Sequence, residues 1–282
     1  TSGREERWHT HMTRLNVHHL NIIDSWTGQA LVSDVNFNVN SGETLGIIGE
    51  SGSGKSITCK AIVGLNDDRL KVQGQINFES VDMLKLHDKQ LKQYRGKEIA
   101  IIMQQGSRAF DPSSPVGKQM METMQAHTSL GRQQVIDILV ERMLYMKLQN
   151  PKQVLSMYPH MLSGGMLQRL MIALALSLQP KLIIADEPTT ALDTITQYEV
   201  LEAFNDMKQQ MGCAMIFISH DLTVVNHVAD HVAVMRAGRL VEQGTREAVL
   251  YHPQHAYTSY LLATKKKISD HFQRVMRGEC NA

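Results

Sequence analysis

The run Gly49-Glu50-Ser51-Gly52-Ser53-Gly54-Lys55-Ser56 limits what this chain can fold into more than any other stretch. It follows an apolar segment, residues 44–48, that reads as a short buried strand. It precedes a segment from Ile57 through Cys59, Ala61, Ile62 and Val63 that reads as a helix. Glycine lets a backbone turn tightly and approach an anion with no Cβ in the way. A glycine-rich turn feeding a helix N-terminus aims backbone N–H groups at phosphate oxygens. In this strand–turn–helix setting the pattern reads as a phosphate-binding loop, and so as an α/β fold. Gly49, Ser51, Gly52, Ser53 and Gly54 are the expected cradle. Lys55 would reach the β- and γ-phosphates of a nucleotide, and the Ser56 hydroxyl would ligate Mg²⁺.

A second cluster lies far downstream. Residues 182–185, Leu-Ile-Ile-Ala, are explained by a buried strand, but the adjacent acids Asp186 and Glu187 at its end are not. Asp186 fits as a partner of Mg²⁺ through water. Glu187 fits as the group that polarises the attacking water. A carboxylate beside phosphates feels like-charge repulsion, which raises its pKa and suits a base.

Between the two clusters stands Leu162-Ser163-Gly164-Gly165-Met166-Leu167-Gln168-Arg169. It resembles the signature motif of the ATP-binding cassette (ABC) family. A helix capped by serine explains Ser163, but two consecutive glycines are not needed for a cap. The resemblance extends over roughly residues 15–263 and its other motifs fall in order. Gln104, after an expected strand over 99–103, matches the Q-loop glutamine that contacts Mg²⁺ or water. Asp193, in Ala191-Leu192-Asp193, matches the D-loop. His220, after an expected strand over 214–218, matches the switch histidine at the γ-phosphate.

The resemblance implies a P-loop NTPase core with an antiparallel β-subdomain and a helical signature subdomain. It also implies a site shared between chains: Ser163, Gly164, Gly165 and Asp193 would serve ATP held by a second, different ATPase chain. Two membrane permeases and a solute-binding protein complete the expected assembly, with this chain peripheral at the cytoplasmic face. One departure is Met166, where the family usually has a glutamine; methionine cannot donate that side-chain hydrogen bond. Trp26 is either the adenine-stacking aromatic or a surface-loop tryptophan.

Composition narrows the class further. A net charge of +1 gives no electrostatic footprint for nucleic acid. The longest apolar run, residues 170–178, is shorter than the roughly 20 residues a membrane helix needs. Three separated cysteines, Cys59, Cys213 and Cys280, suit a reducing compartment rather than a disulfide framework. The 13 histidines are scattered without a compact ligand pattern. His18 and His19 are expected on opposite faces of the first strand.

Residues 1–11 read as a foreign leader ending in a cloning-scar-like His11-Met12 junction. Residues 12–263 are the expected nucleotide-binding domain, with its helical subdomain at about 106–179, and 264–282 form a tail. Alternation over residues 15–45 and 72–78 predicts antiparallel strands. Methionines gather in the helical region, at Met120, Met124, Met143, Met146 and others, as adaptable packing. Residues 232–235 and 239–242 read as a hairpin turning at Ala237-Gly238. The segment from Tyr251 through His252, Pro253, His255 and Tyr257 to Leu262 resembles a C-terminal motif of the peptide/nickel branch of importer ATPases. Relatives that carry an iron–sulfur cluster there have extra cysteines. This tail has only Cys280, so no cluster is expected.

The implied function is that of an importer ATPase. The run from Leu162 to Ala173 and the upstream Ile102-Met103-Gln104 resemble nickel-importer ATPases, and peptide-importer relatives usually keep glutamine at the position of Met166. The resemblance implies nickel or a related metal chelate, including an opine-type metallophore, rather than oligopeptides. A soluble ABC protein would usually show two cassettes or a long coiled-coil insertion. A small-molecule P-loop kinase leaves the signature, Asp193 and His220 unexplained.

Overall fold

Period-two patterning dominates the first part of the chain, and the computed structural model, which describes residues 12–104 and 106–264, turns it into strands. Strands β1 (Thr13–Asp24), β2 (Ala30–Asn40) and β3 (Thr44–Ile48) lead to helix α1 (Lys55–Ile62). Then come β4 (Leu70–Phe78), β5 (Val81–Asp82), α2 (Asp88–Tyr94) and β6 (Ile99–Ile102). A helical stretch follows: α3 (Val116–His127), α4 (Arg132–Tyr145), α5 (Pro151–Leu155) and α6 (Gly164–Ser177). The chain returns through β7 (Leu182–Asp186), α7 (Thr194–Met211), β8 (Ala214–Ile218) and α8 (Leu222–Val228). It closes with β9 (His231–Arg236), β10 (Arg239–Thr245) and α9 (Arg246–Tyr251), and residues 256–264 are also helical.

Two sheets result. An antiparallel sheet has the order β2-β1-β4-β5. The second has the order β10-β9-β3-β8-β7-β6, parallel except for the β9–β10 hairpin. Strands buried on both faces read as continuous apolar runs. In β7 the alternation still decides which core each side chain joins. Ile183 and Ala185 pack with α3, α4, α6 and α7. Leu182 and Ile184 pack with α1 and the antiparallel sheet. Phe217 meets Phe204 of α7 edge-to-face at 5.8 Å.

One expected detail fails. His18 and His19 do not point to opposite faces, because both are exposed. The pairing of β1 with β2 slips between Val17 and Leu20, and His19 has φ 48°. A bulge of this kind breaks the alternation and re-aims a side chain. Helix α6 starts at Gly164, as a serine cap implies: the Ser163 hydroxyl accepts from the Met166 N–H at 3.2 Å. Of the methionines, Met120, Met124 and Met143 are wholly buried, while Met161 is exposed. No helix among the described residues is long and apolar enough to cross a membrane. Residues 1–11, expected as a leader, and residues 265–282, expected as a tail and including Cys280, lie outside the described residues.

Candidate nucleotide-binding site

The loop 49–54 joins the end of β3, a central and fully buried strand, to α1. In open parallel sheets ligands bind beyond the carboxyl ends of the strands, and this loop sits there. Gly49 and Gly54 have φ 153° and 101°. A Cβ on Gly49 would collide with the Met235 carbonyl oxygen, so the turn requires glycine for space as well as for conformation. The hairpin backs the loop again where the Gly238 N–H donates to the Ser53 carbonyl at 3.0 Å. The Lys55 ammonium is buried and curls into the loop, donating to the carbonyls of Gly49 (3.0 Å) and Glu50 (2.7 Å) and to Ser53 Oγ (3.3 Å).

The ends of the neighbouring strands bring the other groups. One open cleft is lined by Gly49, Ser51, Gly52, Gly54, Lys55, Ser56, Gln104, Asp186, Glu187 and His220, together with Glu50 and Ile57. Ser53 packs behind it as a buried residue. Asp186, at the end of β7, hydrogen-bonds Ser56. Burial pushes the Asp186 carboxyl above its ordinary pKa and the Glu187 charge adds to this, while the Ser56 hydroxyl and the cations Lys55 and Lys60 oppose it.

Glu187 is held from several sides. Its Oε1 lies 3.1 Å from His220 Nδ1. Its Oε2 accepts from Gln104 Nε2 at 2.9 Å and from Thr190 Oγ1 at 3.3 Å. Its backbone sits in the left-handed region at φ 48°, fixed by its N–H donating to Ile218 O at 2.9 Å. Such strain in a non-glycine residue is costly and concentrates at functional sites. The donor set suits Mg²⁺: a hydroxyl and a carboxylate, Ser56 and Asp186, already face each other, with the Gln104 amide in the same cleft.

The remaining expected residues stand elsewhere. Ser163, Gly164, Gly165, Asp193 and Trp26 do not line this cleft. Asp193 caps α7, accepting from the Thr196 N–H at 3.0 Å and the Thr196 hydroxyl at 2.7 Å. Trp26 is 81% exposed in the β1–β2 turn, with the Arg69 guanidinium 5.8 Å from its ring centroid.

The structure adds two residues to those expected from the sequence. Thr190 orients Glu187, and only the turn chemistry of Pro188-Thr189-Thr190 hints at it. Gln168 is fully buried on α6. Its Oε1 accepts from the Gly106 N–H at 2.7 Å and its Nε2 donates to the Met103 carbonyl at 3.2 Å. It therefore ties the signature helix to backbone on both sides of Gln104.

Residues 32–190 match the family model described as ABC transporter. The chain belongs to the ABC transporter family, as a nucleotide-binding ATPase. Over 268 residues it is 68% identical to the metal-staphylopine import system ATP-binding protein CntD of Staphylococcus aureus (strain NCTC 8325 / PS 47), covering 95% of this chain and 99% of that protein. It is 43% identical over 231 residues to the oligopeptide transport ATP-binding protein OppD of Haemophilus influenzae, covering 82% of this chain and 72% of that protein. Among solved structures, dimeric MJ0796, a bacterial ABC transporter cassette, shares the fold at TM-score 0.75 and 22% identity, over 82% of this chain and 98% of that one.

Proposed function

We propose that this chain hydrolyses ATP to power import of a metal–chelate complex, nickel or another metal held by a metallophore. The observation that carries this reading is the 68% identity, along almost the whole of both chains, to a protein named for metal-staphylopine import. The oligopeptide relatives support the alternative cargo more weakly, at 43%.

Each side chain in the cleft then has a task. Loop amides and Lys55 bind the phosphates. Ser56 and Asp186, with Gln104 close by, hold Mg²⁺, which when bound neutralises charge on the phosphates. Glu187 accepts the proton of the attacking water. His220, Gln104 and Thr190 fix the direction in which the Glu187 carboxylate points. Trp26 stacks on adenine from the exposed β1–β2 turn. Ser163, Gly164, Gly165 and Asp193 serve the phosphates of a second, different ATPase chain, since they lie off this chain's own cleft. The domain spans residues 12–263, with the helical subdomain at about 106–179. It works at the cytoplasmic face of the membrane with two permeases and a solute-binding protein, and without nucleic acid.

The test is uptake in a deletion strain complemented with the parent gene or with Glu187→Gln. Radiolabelled nickel or cobalt, supplied with metallophore under metal limitation, is compared with a labelled peptide. Metal uptake is expected to return only with the parent. Metal uptake that survives the deletion while peptide uptake disappears would overturn the cargo and leave the ATPase standing.

A further inference from the structure

The proposed function gives no task to residues 252–261, yet they end against the phosphate loop. Tyr257 is buried, and its hydroxyl accepts from the Glu50 N–H at 3.4 Å. That N–H belongs to the peptide joining Gly49 to Glu50. The carbonyl of the same peptide, on Gly49, accepts from the Lys55 ammonium at 3.0 Å. One peptide plane is thus held at both ends, by the tyrosine through nitrogen and by the lysine through oxygen. Glycine is the residue at which such a plane rotates most easily, and Gly49 stands on its N-terminal side.

Tyr257 is itself well anchored. The Arg236 guanidinium lies 4.7 Å from its ring centroid. The Tyr257 N–H donates to His255 Nδ1 at 3.1 Å. The Glu242 carboxylate on β10 accepts from the N–H groups of Gln254 (2.7 Å) and His255 (3.1 Å), which pins the start of the last helix. Tyr257, Val249 and Leu261 share a small core with Ile48, the residue just before Gly49. Burial pushes the phenol pKa upward and the Glu50 carboxylate adds to this, so the hydroxyl keeps its proton and donates to that carboxylate while it accepts from the Glu50 N–H.

We infer that Tyr257 is a positioning residue for the phosphate loop: its hydroxyl fixes the Gly49–Glu50 peptide and so presets where Lys55 meets the phosphates. The inference rests on the nucleotide-binding reading of the cleft. A net hydrogen bond of ordinary strength corresponds to about a twofold to tenfold change in affinity.

The experiment uses the purified full chain and a fluorescent ATP analogue. Tyr257→Phe keeps the ring, its core contacts and the Arg236 contact, and removes only the hydroxyl. Its Kd is expected to rise by about twofold to tenfold, with the melting temperature lowered by no more than about 1–6 °C, as the loss of one hydrogen bond predicts. A merely structural residue would lower melting and leave the affinity of the folded chain unchanged. Hydrogen exchange at the Glu50 amide gives a reading independent of any variant. That amide is expected to exchange slowly in the parent and faster in Tyr257→Phe. Parental affinity in Tyr257→Phe, or fast exchange at Glu50 in the parent, overturns the inference and leaves nucleotide binding in place. A parent chain that binds no ATP analogue overturns both.

Discussion

Glu187 shows how much of the site one residue concentrates. Its carboxylate is oriented by His220, Gln104 and Thr190, and a glutamine side chain could keep most of those contacts while losing the ability to take a proton. Glu187→Gln is therefore expected to retain ATP binding and to lower hydrolysis in the assembled transporter by about 10²–10⁴-fold. Phosphate release at the parental rate would remove Glu187 from the role of base. The cysteines give a second expectation. Burial raises the thiol pKa of Cys59, and pushes that of Cys213 up to about 12. A raised pKa leaves little thiolate near neutrality, so both should resist maleimide in the native chain and react after denaturation. Peptide mapping that finds either one labelled in the native chain would contradict the burial. The loop and the paired acids were legible in the sequence because phosphate and Mg²⁺ chemistry admits few residue types. The left-handed backbone of Glu187 was not legible. Nothing local calls for it, and it follows from a hydrogen bond to Ile218, on a strand that comes later in the chain.

Among the elements, α6 does two jobs. Leu167, Leu170, Met171 and Ile172 seat it in the core, at roughly 1.5–3 kcal/mol for each large apolar side chain buried. Gln168 then joins it to the end of β6. Gln168→Leu keeps most of the volume but strips the Gly106 N–H and the Met103 carbonyl of their partner. Leaving buried polar groups unmatched costs about 1–3 kcal/mol each. Urea denaturation should show a loss of that order, and an unchanged midpoint would mean that the tie carries no stability. Leu170→Ala, with no exposed surface at that site, should cost about 2–5 kcal/mol. Strand periodicity placed β1, β2 and β4 from sequence alone; it broke at Ser33 and Asp34 of β2, where Asp34 has φ 51°, and at His18 and His19 of β1. A signal was available there. Gly74 stands inside β4 with φ 118°, and a Cβ on it would press on the carbonyl oxygens of both histidines. Glycine inside a strand pattern marks such a bulge or close approach.

At the scale of the whole molecule, the signature residues and the cleft of the same chain stand apart. On the proposed function, such a chain takes a partner to complete its site. The purified chain is expected to be monomeric or weakly dimeric with ATP, and to hydrolyse it slowly until the second ATPase chain is added. Light scattering coupled to size exclusion, together with turnover, checks this. A stable ATP-dependent homodimer with full turnover would contradict heterodimeric pairing. The order of the parallel strands was beyond the reach of sequence reasoning, because neighbours such as Leu45 and Ile216 are far apart along the chain and no local pattern links them. That separation has a consequence for biosynthesis. Strand β3 carries the phosphate loop, yet its two neighbours are β8 and β9, with Leu45 beside both Ile216 and His231. A ribosome making this protein must translate most of the message before either edge of β3 can be covered. Until then an apolar strand with both edges open is offered to any other nascent chain nearby, the kind of segment that aggregates during slow, non-local folding. Translation speed late in the message, and chaperones held to the chain until then, should therefore govern how much active ATPase a cell obtains.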